Sequence, residues 1–201
     1  MIGRVARRTF SRAELESFRD AEVPDLLPVE GQPLRLLFVG INPGLWTAAT
    51  STHFAHPGNR FYPALLAGGV IERPIDPANG MTDADRAMMR ERGIGITNLV
   101  RRATAKASEL SAAELREGGA ELVDLVSRAR PTVVAVAGIT AYRSAFGLPK
   151  AVAGRQPATL DDPWNGAELW VVPNPSGLNA HETVATLADA YRRVGIAAGI
   201  I

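Results

Sequence analysis

Four short apolar runs divide the chain, and residues that favour turns stand at the ends of each run. The runs cover residues 34–41, 94–100, 132–137 and 168–173. A nearly continuous apolar run of this length is typical of a parallel strand that is buried on both faces. The pattern therefore predicts four strands of one parallel sheet.

Helical periodicity fills the segments between these runs. Polar cap residues mark where three of the helices start: the pair Ser11 and Glu14, Thr82, and the pair Ser111 and Glu114. A serine or threonine followed three residues later by glutamate is the capping-box pattern of a helix N-terminus. Pro131 ends the third of these helices, and an amphipathic helix is predicted over 182–195.

This alternation of strands and helices predicts an α/β fold, a three-layer α/β/α sandwich around a central, mostly parallel four-stranded sheet. We expect a basic N-terminal extension with a short helix over 1–22 and a single domain over 23–201. The stretch 151–166 lacks periodicity and is predicted to be an irregular surface connection. Ligands of such sheets bind at the carboxyl ends of the strands, so the loops that follow the strands are the candidate sites.

The composition of the chain argues against several kinds of structure and site. Apolar residues make up 46% of the chain and charged residues 21%, without a run long enough for a bilayer span, so we expect a soluble protein. The absence of cysteine excludes disulfides, thiolate metal sites and a cysteine nucleophile. His53 and His56 lie close together without a third ligand at a recognisable spacing, so we predict no metal site. Lys106 and Lys150 are the two lysines, which leaves few candidates for Schiff-base chemistry.

The first candidate loop, "GINPG", places Asn42 directly after the first strand. Asparagine, proline and glycine are common turn formers, so a purely structural turn explains the motif. A phosphate cradle is a second interpretation, although the usual glycine pattern and the P-loop lysine are both missing. A polar site at the sheet edge is the third.

The motif "FAHPGNRF" follows twelve residues later and adds an aromatic face at Phe54, an imidazole at His56, an amide at Asn59 and a cation at Arg60. Phe54 could equally belong to the core. A single histidine is more often a structural residue than a catalyst. The motif nevertheless raises the expectation of a site at this edge, with Asn59 and Arg60 as candidate DNA contacts.

The last strand leads into "NPSGLNA", which repeats the order of asparagine, proline and glycine. Asn174 and Ser176 are therefore expected at the same sheet edge as Asn42. Leu178 is apolar in a polar loop. It could pack under the next helix as a hydrophobic staple, with Asn179 as the cap and Glu182 completing a capping box. Alternatively, it could be a wedge that enters a stack of bases.

The loop after the second strand, "TNLVRRATAK", carries the side chains of Asn98, Arg101, Arg102, Thr104 and Lys106 in close succession. Cations among amides and hydroxyls suit contact with a phosphate backbone. A solvated surface loop explains them almost as well. The net charge of +1 neither demands nor excludes a polyanionic partner.

Taken together, "GINPG", "FAHPGNRF", "GITNLV", "ELREGG" and "NPSGL" resemble the mismatch-specific uracil/thymine DNA glycosylase family, a branch of the uracil-DNA glycosylase superfamily. The similarity runs from about residue 23 to residue 193, with the motifs in matching order and at compatible spacings. Each motif alone is weak, but five in order are specific. The resemblance implies an enzyme that flips uracil, or thymine opposite guanine, out of duplex DNA and hydrolyses its N-glycosidic bond.

The resemblance also implies roles for individual residues. Asn42 matches the catalytic asparagine, and Phe54 matches the aromatic residue on which the base stacks. The intercalating segment matches Gly177, Leu178, Asn179 and Ala180, with Leu178 as the wedge. An asparagine amide has no usable pKa near neutrality, so it cannot act as a general base. Its carbonyl would hold and orient a water, and the driving force for the reaction would come from the departing base.

The rest of the predicted base pocket comprises Ile41, Gly44, Thr47, Asn174 and Ser176. Backbone N–H groups around Ile41 and Gly44 could stabilise the negative charge of the leaving base. The methyl group of Thr47 could crowd the methyl group of thymine, so we expect a preference for uracil. Without a carboxylate in "GINPG" to activate water, we expect a slow enzyme.

Two residues depart from the family pattern. Ala180 stands where an arginine is common, which puts the reading of the opposite guanine in doubt. Arg101 stands where an acidic residue is common. Discrimination between G·U and G·T pairs and the preference for double strands are the properties that these changes affect.

The sequence thus predicts a monomeric, monofunctional glycosylase of base excision repair, without a cofactor, that binds double-stranded DNA containing G·U or G·T mismatches. It implies action in the cytoplasm at the bacterial nucleoid, away from membranes. A catalytically weak DNA-damage binding module on the same fold is one alternative. A nucleotide-binding hydrolase that uses the glycine loops for phosphates is the other.

Overall fold

A parallel sheet forms the middle layer of the protein. The computed structural model describes residues 8–158 and 161–201, so parts of the predicted extension and of the 151–166 connection lie outside the described residues. The strands are β1 (Leu36–Gly40), β2 (Ile94–Asn98), β3 (Val133–Ala137), β4 (Gly154–Arg155) and β5 (Glu168–Val172). Their order across the sheet is β2-β1-β3-β5-β4. The predicted three-layer sandwich with a mostly parallel sheet is confirmed.

The sheet has five strands in the described residues, where the sequence predicts four. The additional strand, β4, pairs antiparallel with β5 at the edge of the sheet. It lies within the stretch 151–166, which the sequence analysis treats as irregular. A two-residue edge strand of glycine and arginine is held by backbone hydrogen bonds, so it leaves no hydrophobic pattern in the sequence.

Helices cover both faces of the sheet. They are α1 (Arg12–Glu16), α2 (Leu45–Thr50), α3 (Phe61–Ala67), α4 (Asp83–Glu91), α5 (Ala112–Ala129), α6 (Ile139–Phe146) and α7 (Val184–Ala197). Short 3-10 turns lie at Pro77–Asn79 and Ala107–Glu109. Within the described residues, the helices are too short or too polar to cross a membrane.

The predicted helix starts are confirmed at Ser11, Thr82 and Ser111, each of which forms a reciprocal capping box. The prediction for the last helix is wrong at both ends. Thr183 caps it with Thr186 in the role assigned to Glu182, and the helix continues to Ala197.

The apolar residues of β1 alternate between two cores. Leu36 and Phe38 belong to the core beneath α3, α4 and α7, whereas Leu37 and Val39 belong to the core beneath α5 and α6. All four side chains are fully buried. Burial on both faces explains why the strand is a continuous apolar run.

The N-terminal extension packs against the domain at the side of α2. Apolar side chains of residues 15–21 contact a small cluster that contains Leu45 and Ala103. Asp20 at its end pairs with Arg102 at 3.0 Å. The described part of the extension is therefore anchored to the loop that follows β2.

Helix α5 approaches the end of β2 so closely that there is room only for glycine at the contact. A Cβ atom on Gly118 would overlap the carbonyl of Leu99, and one on Gly119 would lie 2.9 Å from the carbonyl oxygen of Ala145. This contact explains the glycine pair in "ELREGG". It supports the backbone directly after Asn98.

We expect Gly118→Ala to lower the free energy of unfolding by about 1–3 kcal/mol, because the new methyl group overpacks the contact with Leu99. The loss should appear although alanine favours a helix interior by about 1 kcal/mol over glycine. Urea denaturation measures it, with Glu117→Ala on the exposed side of α5 as the control that should change little. A more stable Gly118→Ala variant would contradict this account of the contact.

Candidate active site

The carboxyl ends of β1 and β2 lie side by side and carry two of the candidate loops. The parallel register pairs Gly40 with Asn98. Backbone pairing continues beyond both strands: Val100 N–H donates to Ile41 O at 2.9 Å, and Thr104 N–H donates to Pro43 O at 3.1 Å. The "GINPG" and "TNLVRRAT" loops are therefore joined along their length.

Two side chains close over Gly40. A Cβ atom on residue 40 would overlap Oδ1 of Asn98 and would lie 3.3 Å from Cζ of Phe54. Sequence analysis placed Asn98 with the DNA-backbone contacts. The geometry instead brings Asn98 together with the aromatic residue that is predicted to stack on the base.

Phe54 has a backbone conformation that bulky residues rarely adopt. Its φ is +56°, in the left-handed region. Such a conformation costs on the order of 1–3 kcal/mol and persists only where the surroundings hold it. The Phe54 ring stacks on Phe61, with 4.1 Å between ring centroids and 24° between planes. One face is thus covered by the core, so a planar ligand could stack only on the other.

The side chain of Asn42 is fixed through its nitrogen. Nδ2 donates to Pro43 O at 3.0 Å, to Arg102 O at 3.2 Å and to Thr104 Oγ1 at 2.8 Å. Two of these acceptors are carbonyl oxygens, which cannot donate, so the NH₂ group must face them. Oδ1 accepts no hydrogen bond from another described residue, and it remains available to a ligand or a water.

Thr104 has a role that the sequence did not reveal, because its motif suggested only a place among phosphate contacts, whereas it lies against Asn42. It is buried, and its hydroxyl donates to Lys106 O at 2.9 Å. Because its proton is used there, Oγ1 can act toward Asn42 only as an acceptor. The predicted role of the "TNLVRRATAK" loop concerned its cations, and a hydroxyl among them gave no signal of its own.

His53 is the second residue that was missed, because the sequence suggested it only as a metal ligand. It is buried, and Nε2 lies 3.0 Å from Pro24 O, so Nε2 must carry a proton. Burial lowers the pKa of His53, which favours the neutral ring. Neutral Nδ1 then accepts from Asn98 Nδ2 at 3.1 Å. His53 therefore sets the orientation of the Asn98 amide.

Asn174 and Ser176 lie at the end of β5, on the other side of β1. Asn174 Oδ1 accepts from Ser176 N–H at 3.0 Å, and Ser176 Oγ accepts from Leu178 N–H at 3.3 Å. Asn174, together with Ile41 and Gly138, lines a cavity of about 260 Å³. Both side chains thus shape the "NPSGL" turn, and a role in the base pocket stays a prediction.

Leu178 projects into solvent. It is 91% exposed, so it is not a hydrophobic staple. Asn179 does not cap α7 either, because its side chain donates to Asn174 O at 3.2 Å. An exposed leucine at the tip of a hydrogen-bonded turn remains compatible with the wedge, whose role stays a prediction together with Gly177 and Ala180.

Two of the four predicted DNA-contacting cations have acidic partners. Arg101 pairs with Asp25 at 3.2 Å, and Arg102 pairs with Glu114 at 2.6 Å in addition to Asp20. Hydrogen bonds to Glu114 and Asp20 raise the pKa of Arg102. Arg102 therefore ties the extension and α5 to this loop.

The remaining predicted residues lie around the same edge. Lys106 is exposed, Gly44 precedes α2, and Thr47 is buried within α2. Asn59 Oδ1 accepts from Phe61 N–H at 2.9 Å and shapes the start of α3. Their roles toward DNA or a base stay predictions.

The chain was compared with models of known protein families, and one family matches. The model of the uracil DNA glycosylase superfamily matches residues 28–194, which include all the loops described above. The chain belongs to the uracil-DNA glycosylase superfamily. Membership of this superfamily supports a DNA glycosylase that acts on uracil, hydrolyses N-glycosidic bonds and binds DNA in base excision repair. The two fixed amides, Asn42 and Asn98, are the polar centre of its candidate site.

We expect stability to depend on the ionisation of His53. Because its pKa is lowered in the folded state, the unfolded chain binds more protons than the folded protein once pH falls below about 6.5, the ordinary histidine value. The free energy of unfolding should therefore be highest above this pH. Below it, the free energy should fall by up to about 1.4 kcal/mol per pH unit while His53 stays neutral.

Urea denaturation between pH ~7.5 and ~5.5 measures this slope. His53→Gln should remove most of it. His56→Gln should retain it, because His56 is exposed. An equal slope in the wild type and His53→Gln would show that other groups cause the pH dependence.

Proposed function

We propose that this protein is a monofunctional glycosylase that removes uracil from duplex DNA where it lies opposite guanine. The observation that carries the proposal is the fixed orientation of Asn42. Its nitrogen is held by three acceptors and its carbonyl oxygen is left for a water, two residues after Gly40, over which Asn98 and Phe54 close. Superfamily membership supports the reaction class.

The orientation of Asn98 supports uracil as the base. One Nδ2 proton goes to His53, so the second Nδ2 proton and Oδ1 remain for a ligand. Uracil offers an acceptor at O4 beside a donor at N3–H, which matches a donor and an acceptor on one amide. Cytosine offers the opposite pattern, a donor at N4 and an acceptor at N3. It would place a donor against the Asn98 donor and an acceptor against the Asn98 acceptor.

Thymine has the same hydrogen-bonding edge as uracil, so discrimination between the two must be steric. Thr47 is the residue that we propose limits the space for the thymine methyl group. An added methyl group is rejected by only about 1–3 kcal/mol in such pockets. Thymine opposite guanine is therefore proposed as a poor substrate.

Asn42 contributes by holding the attacking water in position. An amide has no usable pKa near neutrality, so Oδ1 can orient a water but cannot remove its proton. The C1′–N1 bond then breaks first and its electron pair leaves with uracil; the water adds to the oxocarbenium-like C1′, and the proton that it loses passes through solvent to the uracil anion. The departing uracil takes the negative charge, which the Nδ2 proton of Asn98 and backbone N–H groups near Ile41 and Gly44 would stabilise. This mechanism predicts slow turnover.

Leu178 supports action on duplex DNA. An apolar side chain that is 91% exposed is available to enter the gap that a flipped base leaves. Its loop follows β5, and therefore lies at the same sheet edge as Asn42. Insertion would bury its side chain against bases and keep the flipped nucleotide from returning.

Recognition of the opposite guanine would depend on main-chain groups. Ala180 has no polar side-chain group, so an arginine-like contact is missing. Guanine presents N1–H and N2–H donors on its pairing edge. The carbonyl oxygens of Leu178 and Ala180 accept no hydrogen bond from another described residue, and we propose them as the acceptors. Two weak contacts favour guanine without demanding it.

A duplex with a single G·U pair tests the function. We expect the protein to release uracil, so that alkali then cleaves the strand at that position. Asn42→Ala should abolish release. Thr104→Val should reduce the single-turnover rate about tenfold, because Asn42 loses one acceptor, whereas Thr104→Ser should restore most of it. Equal rates for the valine and serine variants would contradict the role given to the hydroxyl.

The same assay separates the alternatives. Tight binding without release of uracil would favour a DNA-damage binding module. Hydrolysis of free nucleotides would favour a nucleotide hydrolase. Strand cleavage before alkali would contradict the monofunctional assignment and would make Lys106 the candidate amine.

We expect Leu178→Ala to reduce uracil release from duplex more than from single-stranded DNA, because only a duplex has a stack to fill. Single-turnover rates on the two substrates measure the ratio. Ile196→Ala is the matched control, since Ile196 is also exposed but lies at the end of α7, near the Gly199 carbonyl that accepts from Arg35 at the start of β1. Equal losses on both substrates would contradict a wedge.

A further inference from the structure

Arg60 joins the loop before α3 to the loop after β5. It lies directly before α3, at the end of "FAHPGNR". Its backbone N–H donates to Pro175 O at 3.0 Å. The first of the two loops is thus attached to the start of the second, upstream of Leu178.

The guanidinium of Arg60 binds the far side of the same loop. Nη1 donates to Asn179 O at 3.0 Å and to Glu182 O at 2.9 Å, and Nη2 lies 3.4 Å from Gly177 O. These carbonyls bracket Leu178 in the chain. The planar fork of arginine can reach several acceptors at once, which the single ammonium of lysine does less well.

A contact between two glycines brings the loops together. A Cβ atom on Gly177 would overlap the carbonyl of Gly58. The two backbones therefore touch directly, next to Arg60. This contact and the three carbonyls hold the loop 175–182 from outside, while Asn174 and Asn179 hold it from within.

Leu178 itself makes little contribution to this arrangement. At 91% exposure, its side chain is not held by packing. Its position depends on the backbone of the loop, and the loop depends on Arg60. The Arg60 donors face carbonyl oxygens of the protein, which is an unusual use of a cation that a sequence would assign to phosphate.

We propose that Arg60 is a positioning residue that holds Leu178 in the orientation required to enter duplex DNA. The proposal rests on the wedge role of Leu178 in the proposed function. It replaces the DNA contact that the sequence predicted for Arg60. The energy of the Arg60 hydrogen bonds serves to fix the loop before DNA arrives.

Kinetics on two substrates test this role. Arg60→Met should slow uracil release from a G·U duplex about tenfold or more, and release from single-stranded DNA by less. Arg60→Lys should resemble Arg60→Met, because a charge alone does not bridge the carbonyls. Arg193→Met, an exposed cation far along α7, is the charge-matched control and should change neither rate. Full activity of Arg60→Lys would contradict the proposal.

A double variant tests whether Arg60 acts through Leu178. In the Leu178→Ala background, Arg60→Met should add little further loss on duplex, because the side chain that it positions is already gone. Additive losses would show that Arg60 acts independently of Leu178 and would overturn the proposal.

Salt dependence distinguishes positioning from phosphate binding. Affinity for the G·U duplex is measured in the inactive Asn42→Ala background at several salt concentrations. Loss of a phosphate contact would reduce the slope of log affinity against log salt concentration by about 0.9. We expect Arg60→Met to leave this slope unchanged and to weaken binding by the same factor at every salt concentration. A reduced slope would overturn the proposal.

Hydrogen exchange provides a readout that needs no activity. In Arg60→Met, the backbone amides of residues 177–182 should exchange faster than in the wild type, while those of β1 should not change. Unchanged exchange would overturn the proposal even if the protein removes uracil. If wild-type protein releases no uracil from either substrate, the proposed function fails, and faster exchange would still establish that Arg60 holds the loop.

Discussion

The lack of a side chain at Gly40 is the constraint on which the rest of the site depends. Asn98 and Phe54 both come to the end of β1 because residue 40 leaves them room. The parallel register brings Asn98 there, and the left-handed backbone of Phe54 brings the ring. Any larger residue would separate the amide from the aromatic face. Two residues further on, the loop after β1 carries Asn42.

The site is built from two amides that are each held at one end. Asn42 is held by three oxygen acceptors, and Asn98 by a neutral imidazole. The nearby carboxylate of Asp25 accepts from Thr97 Oγ1 and Arg101 instead. In the proposed function, the orientation of these amides replaces charge as the source of selectivity for the base. A centre of this kind can bind a neutral base and stabilise its departure, but it gives little help in activating water.

Local features of the sequence predicted most of the fold. Buried strands and capping boxes are set by residues close together in the chain, so their positions could be predicted. The edge strand β4 has no side-chain pattern and was missed. The start of α7 was misassigned because Asn179 uses its side chain within the preceding turn, and that partner could not be identified from spacing alone.

The candidate site was only partly predictable, because its important contacts join distant residues. Thr104 meets Asn42 across 62 positions, and Asn98 meets His53 across 45. The motifs identified Asn42 and Phe54, but they did not reveal which groups orient them. The cations were the weakest part of the prediction, since Arg102 looks like a phosphate ligand until Asp20 and Glu114 are seen beside it.

The wedge role proposed for the exposed Leu178 has a consequence for how the protein would search DNA. A leucine that already stands out from a fixed turn needs no closing motion when the protein slides from one base pair to the next. The time spent at each pair is then set by how often the pair opens on its own. Weak pairs such as G·U open more readily than intact ones, so Leu178 would enter them more often, and this preference would arise before any chemistry begins.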